Sequence, residues 1–77
     1  MPNKIVVIHE ECHGMIGLAY NYQRAITFLW KEDWFDEEEM LAQWGINWLE
    51  RIKRWSIDDF NEEFDGCFQL EIREIFI

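Results

Sequence analysis

Residues 4–20 read KIVVIHEECHGMIGLAY and decide the fold, because they predict a β-hairpin. The apolar run at residues 5–8 is too short for a helix, and its continuity favours a strand contacted on both faces, inside a sheet. Residues 12–14 supply a turn before a second strand at residues 15–20. Gly17 in that strand indicates a bulge or a close approach of the backbone to a neighbour. Alternation places three residues on one face: Ile16, Leu18 and Tyr20.

Helical spacing begins after the hairpin. Asn21 is a favourable N-cap, and apolar residues then recur every three or four positions. We expect this first helix to end near Asp33 or Trp34. Its apolar positions are Tyr22, Ala25, Ile26, Leu29 and Trp30.

A second helix start is marked more sharply. Asp36 precedes Glu39 by three residues, as in a capping box, while Phe35 and Met40 occupy the positions of a hydrophobic staple. Gly45 is unfavourable inside a helix by about 1 kcal/mol relative to Ala, so we expect a kink or a split there. The apolar stripe of this segment consists of Leu41, Trp44, Trp48, Ile52 and Trp55.

The capping pattern repeats in a third, shorter helix. Ser56 is the candidate N-cap, with Asp59 three residues later and Trp55 and Phe60 at the staple positions. Gly66 is well placed to end the helix.

The last segment, residues 67–77, alternates as a half-buried strand does. Its first apolar face consists of Phe68, Leu70 and Ile72. The alternation slips at Glu74, because Ile75 and Ile77 fall on the other face. A bulge near residues 73–74 would restore it; alternatively, the two isoleucines face a partner.

These elements predict an α+β fold in one compact domain, residues 1–77. The order β-β-α-α-α-β favours a three-stranded antiparallel sheet with helices packed on one face. The last strand is expected to pair beside the first, which makes the first strand central.

Composition limits the class of protein. The 77 residues are 49% hydrophobic, with two cysteines, too few for a disulfide framework. We therefore expect reduced thiols and a cytoplasmic location. The N-terminal apolar run is too short for a signal peptide or a membrane span, so no membrane association is expected. The net charge of −9 favours basic protein surfaces as partners and disfavours direct binding to nucleic acid.

Residues 9–13, HEECH, match the H-E-x-x-H pattern of zinc peptidases. That pattern needs a helix, where residues four apart share a face, whereas four residues of strand span about 13 Å. We therefore expect no zinc peptidase. Cys12 and His13 are adjacent, so their side chains point to opposite faces of a strand, and the sequence has no phosphate-binding glycine loop. We therefore expect no other enzyme and no cofactor. A looser metal site remains an alternative, with the ligands His9, Cys12, His13 and Cys67.

Two acidic clusters are the candidate partner-binding site. They lie at residues 32–39, EDWFDEEE, and 58–65, DDFNEEFD. Carboxylates near the start of a helix stabilise it by interacting with the helix dipole. Carboxylates spaced along helix turns also imitate the phosphates of a nucleic acid. Trp34 is the candidate anchor, and of the five tryptophans Trp34 and Trp44 are the ones expected at the surface. The candidate site residues are Glu32, Asp33, Trp34, Asp36, Glu37, Glu38, Glu39, Asp58, Asp59, Glu62, Glu63 and Asp65.

Two segments carry a resemblance. Residues 4–34, KIVVIHEECHGMIGLAYNYQRAITFLWKEDW, and residues 55–75, WSIDDFNEEFDGCFQLEIREI, resemble small acidic proteins of phages and prophages of Gram-positive bacteria. The shared positions are residues 13–14, 16–17 and 60–70. The resemblance implies a phage origin, and in size and charge the chain is similar to anti-CRISPR proteins and other DNA mimics.

The expected function is therefore inhibition of a host nucleic-acid-binding protein, for example a CRISPR effector. Inhibition would come from DNA-mimicking or steric contact. The alternative is a homo-oligomer, a homodimer at its simplest, with a phage scaffolding or assembly role. That alternative rests on the apolar end of the chain, which consists of Ile75, Phe76 and Ile77.

Overall fold

The computed structural model describes residues 2–76 and confirms an α+β fold. Three strands and four helices follow one another along the described chain. They are β1 (Pro2–Glu10), β2 (Gly14–Ala19), α1 (Tyr22–Lys31), α2 (Glu37–Trp44), α3 (Trp48–Lys53), α4 (Ile57–Glu63) and β3 (Phe68–Phe76).

The sheet is antiparallel with the order β2-β1-β3, so β1 is central, as predicted. The helices cover one face of this sheet. The opposite face is called the open face below, and it is defined by residues that alternate with those under the helices: Ile5, Val7, His9, Leu18, Glu71, Arg73 and Ile75.

The hairpin contains a register shift that the sequence indicated through Gly17. Ile8 pairs with Gly17 but His9 pairs with Met15, which leaves Ile16 as the extra residue of β2. Ile16 consequently packs against the core, while Leu18 is 56% exposed. The prediction that Ile16, Leu18 and Tyr20 share one face is therefore wrong.

The close approach of the backbone to a neighbour, which Gly17 also indicated, is present as well. A Cβ atom at this position would lie 2.6 Å from the Phe28 ring of α1. Helix α1 can approach the sheet because this side chain is missing.

Gly45 splits the predicted second helix into α2 and α3, so the described chain has four helices where three were expected. Its φ of +88° is a conformation that glycine adopts at little cost, and its N–H donates to the Leu41 carbonyl at 2.9 Å. Because of this split, the predicted apolar stripe is not buried along its whole length. Trp48 and Ile52 of α3 are buried, whereas Leu41 of α2 is exposed.

The three predicted N-caps are confirmed. The Asn21 side chain accepts from the Arg24 N–H at 2.8 Å, and the Ser56 hydroxyl accepts from the Asp59 N–H at 3.1 Å. Asp36 accepts from two N–H groups of α2. Helix α1 ends at Lys31, two or three residues earlier than expected, and Asp33 follows with a positive φ of 65°.

The predicted bulge near Arg73 is wrong, because β3 pairs with β1 in unbroken register. Ile75 therefore lies on the open face, as the alternative required, and Ile77 lies outside the described residues.

Asn61 of α4 binds the edge of β3 that does not pair with β1. Its side chain donates to the Leu70 carbonyl at 2.9 Å and accepts from the Leu70 N–H at 2.7 Å.

Candidate partner-binding groove

A groove of about 420 Å³ lies where α2 and the end of α4 meet the β1–β2 turn and the start of β3. It is called the acidic groove below. Its lining residues are Glu10, Glu11, Trp34, Phe35, Asp36, Glu39, Met40, Gln43, Trp44, Glu63, Phe64, Gly66, Cys67 and Phe68.

Aromatic rings form the floor of the acidic groove. Phe35 is buried, and its ring centroid lies 5.6 Å from that of Phe64 and 5.8 Å from that of Phe68. Trp34 and Trp44 extend the floor at its two ends, through contacts of 6.3 Å with Phe68 and 5.7 Å with Phe64. Both tryptophans are half-buried, so each keeps part of its ring accessible.

Local sequence signals position this floor. After α1 the Trp34 N–H donates to the Leu29 carbonyl at 2.9 Å, which turns the chain at Asp33 toward α2. Phe35 and Met40 are both 4% exposed and pack as the predicted staple. The entry into α2 is thereby fixed, and it brings Trp34 beside the start of β3.

Five carboxylates surround the floor, and two of them have structural roles. Asp36 caps α2. Glu10 accepts hydrogen bonds from the His13 ring and from the N–H groups of Cys12 at 3.0 Å and His13 at 2.8 Å. The hydrogen bond from the His13 ring, with help from the two N–H groups, holds the pKa of Glu10 below its usual value.

The other three carboxylates have no such partners. Among the described residues, Glu11, Glu39 and Glu63 accept no side-chain hydrogen bond and form no salt bridge. No Lys or Arg belongs to the groove lining either. The acidic groove thus combines accessible aromatic surface with uncompensated negative charge, which is chemically suited to a cation.

The structure brings together four of the twelve residues predicted as the site, namely Trp34, Asp36, Glu39 and Glu63. The remaining eight lie exposed outside the acidic groove, on the turn after α1, on α2, on α4 or in the turn before β3. These eight are Glu32, Asp33, Glu37, Glu38, Asp58, Asp59, Glu62 and Asp65.

Of the ten lining residues that were not predicted as site residues, five supply carboxylates or partly exposed aromatic rings. Glu10 ends β1 and Glu11 begins the hairpin turn, and a backbone hydrogen bond of 3.0 Å from the Glu11 N–H to the Cys67 carbonyl places them beside the turn between α4 and β3. The other three are the aromatic residues Trp44, Phe64 and Phe68. Of these three, only Trp44 was expected at the surface. Phe68 was predicted on the apolar face of the last strand, and Phe64 lies four residues after Phe60, the spacing of a buried helix face.

The HEECH histidines have separate partners. The His9 ring lies 3.3 Å from a Glu71 oxygen on the open face, whereas the His13 ring contacts Glu10 and packs edge-on against Trp34 at 5.5 Å. Cys12 and Cys67 are exposed free thiols. Within residues 2–76, no three His, Cys, Asp or Glu side chains are grouped closely enough to hold a metal ion.

Comparison with protein families, with curated proteins and with solved structures finds no match. None of the helices in the described part of the chain combines the length and the apolar character needed to cross a membrane.

Proposed function

We propose that the chain is a small acidic interaction protein that binds the basic nucleic-acid-binding surface of another protein and blocks it. Its most concrete form is a phage-encoded inhibitor of a host system such as a CRISPR effector, acting in the host cytoplasm. The observation that carries the proposal is the acidic groove, whose five carboxylates include three without any partner in residues 2–76.

The distribution of charge supports this function. All eleven carboxylates of the two predicted clusters are exposed, and in the described chain none forms a salt bridge with a Lys or Arg. On the open face, by contrast, the Glu71 carboxylate is paired with Arg73 at 2.8 Å. A basic partner that approaches the helical side therefore meets unpaired negative charge, which favours fast and specific association.

The test is capture of a partner from the bacterial host, followed by titration of the purified pair. Binding is expected to weaken steeply with salt, and nucleic acid is expected to compete. The triple variant E37Q/E38Q/E39Q is expected to bind more weakly. A captured partner without a basic surface, or affinity unchanged by salt and by this variant, contradicts the proposal.

A second candidate function is homo-oligomerisation with an assembly role. It is favoured by a hollow that Ile5, Leu18 and Ile75 of the open face line together with the adjoining Ala19 and Tyr20. Leu18 and Tyr20 are 56% and 78% exposed, and apolar patches of this kind often mark contacts between proteins. Light scattering decides it: a dimer that L18D converts to monomer supports this function, and a monomeric wild-type protein excludes it.

A further inference from the structure

We infer that the acidic groove binds an arginine side chain of the partner protein, and that this contact anchors the complex. The inference rests on the proposed function, because it names the group of the basic partner that the groove recognises. Its basis is the pairing of an accessible aromatic floor with unpartnered carboxylates in one concave site.

The floor suits a planar cation. A guanidinium stacks on an aromatic face and is also attracted to the ring quadrupole within about 6 Å of the centroid. Trp34 and Trp44 are half-buried at the two ends of the floor, so partly accessible rings border the groove on both sides. The volume, about 420 Å³, falls within the usual range for pockets that enclose small ligands.

The three carboxylates of the acidic groove that have no partner, called the rim below, suit the same group. Glu39 of α2 and Glu63 of α4 line the groove from two different helices, and Glu11 lines it from the hairpin turn. None of the three is engaged within the described chain, so each is available to accept the N–H groups of a guanidinium. An ammonium group offers fewer donors and no plane, and it is more strongly hydrated, so lysine is expected to fit less well.

Other occupants are disfavoured by the same residues. A phosphate or another anion would meet five carboxylates and no basic lining residue. A purely apolar segment would take these carboxylates out of water without giving them a partner, which is costly. A cationic side chain with a planar head satisfies both the floor and the rim.

The first experiment uses three blocked glycine peptides that differ at one central residue, which is arginine, lysine or citrulline. Two-dimensional NMR follows the indole N–H signals of the five tryptophans. The arginine peptide is expected to shift the Trp34 and Trp44 signals and to bind at least about fivefold more tightly than the lysine peptide. Equal binding of arginine and lysine, or no shift of these two indoles, overturns the inference.

The second experiment compares two double variants in binding to the captured partner. E39Q/E63Q neutralises two of the three rim carboxylates. E50Q/E74Q is the matched control: it removes the same charge at exposed positions outside the groove and outside both acidic clusters. E39Q/E63Q is expected to weaken binding about tenfold and the control less than about twofold, because only the first loses charge-assisted hydrogen bonds.

The outcomes separate the two proposals. If both variants weaken binding equally, the partner senses diffuse charge, so the arginine anchor is wrong while the proposed function stands. If neither variant weakens binding and salt has no effect, both are wrong. Circular dichroism of each variant establishes that the fold is retained, as expected for exposed side chains.

Discussion

The two faces of the sheet are built differently although both contain buried residues. Val6 and Val7 are neighbours in β1 and are 4% and 1% exposed. Val6 belongs to the core cluster beneath the helices, whereas Val7 does not and pairs with Leu18 and Glu71 on the open face. The covered face is therefore buried by other elements, and the open face only by neighbouring side chains of the sheet. Substitutions on the covered face should consequently cost more stability.

Phe60 of α4 is expected to give the largest effect. Its side chain is fully buried in the core cluster and stacks on Phe64 with ring centroids 4.5 Å apart. F60A leaves a large cavity and should lower the free energy of unfolding by about 3–5 kcal/mol. Urea denaturation measures this loss.

L18T is the control on the open face. Because Leu18 is 56% exposed and Thr is well suited to strands, the change should stay within about 0.5 kcal/mol. A cost for L18T that approaches that of F60A would show that the open face is covered in solution, as the homo-oligomer requires.

Gly17 lies on the covered face, where the Phe28 ring of α1 approaches the backbone of β2 closely. In G17A the new Cβ meets the end of the Phe28 ring, so α1 or that ring must shift. We expect a loss of about 1–3 kcal/mol. F28L in the G17A background makes room, so a double-mutant cycle should recover part of the loss. Purely additive effects would show that the two residues are not in contact.

The neighbouring valines provide the most direct comparison, since V6A and V7A delete the same atoms. V6A should cost about 1.6 kcal/mol, at about 0.8 kcal/mol for each buried carbon removed. V7A should cost clearly less, because water and adjacent side chains of the open face can fill the space. A V7A cost equal to or above that of V6A contradicts the description of this face as uncovered.

Local signals predicted much of the covered face. The caps at Asn21, Asp36 and Ser56 and the staple of Phe35 with Met40 involve residues close in sequence, so a short stretch contains all the necessary information. The apolar run of β1 was sufficient to place that strand at the centre of the sheet. Gly17 indicated an irregularity in β2, but the sequence did not identify Ile16 as the extra residue, because that residue is defined only by pairing with the other strand.

The acidic groove was predictable only in part, for the same physical reason. Asp36 and Glu39 belong to an obvious acidic cluster, but Glu10 and Glu11 join them through a turn far away in sequence. Phe64 has the helical spacing of a core residue, and only the packing of α4 against β3 leaves it in the floor of the acidic groove. A site assembled from three separate stretches of the chain, residues 10–11, 34–44 and 63–68, has no single sequence signature.

The smallest expected effect compares one carboxylate from each side of the sheet. Glu10, at the acidic groove, and Glu71, on the open face, both have a lowered pKa: Glu10 chiefly through the His13 ring, and Glu71 chiefly through Arg73. A carboxyl with a lowered folded-state pKa stabilises the fold above its unfolded pKa, about 4.3, and this contribution is lost as the pH falls through the folded-state value.

E10Q and E71Q should therefore each lower the Tm slightly at pH 7, and the difference from wild type should shrink as the pH falls below about 4. E11Q is the control, since Glu11 is an exposed neighbour without these hydrogen bonds. Added salt should reduce the effect of E71Q more than that of E10Q, because the Glu71–Arg73 pair is exposed to solvent, whereas Glu10 also accepts from backbone N–H groups. A Tm difference for E10Q that persists at low pH would mean that Glu10 stabilises the turn by packing, and its charge would then have no part in holding the rim of the acidic groove.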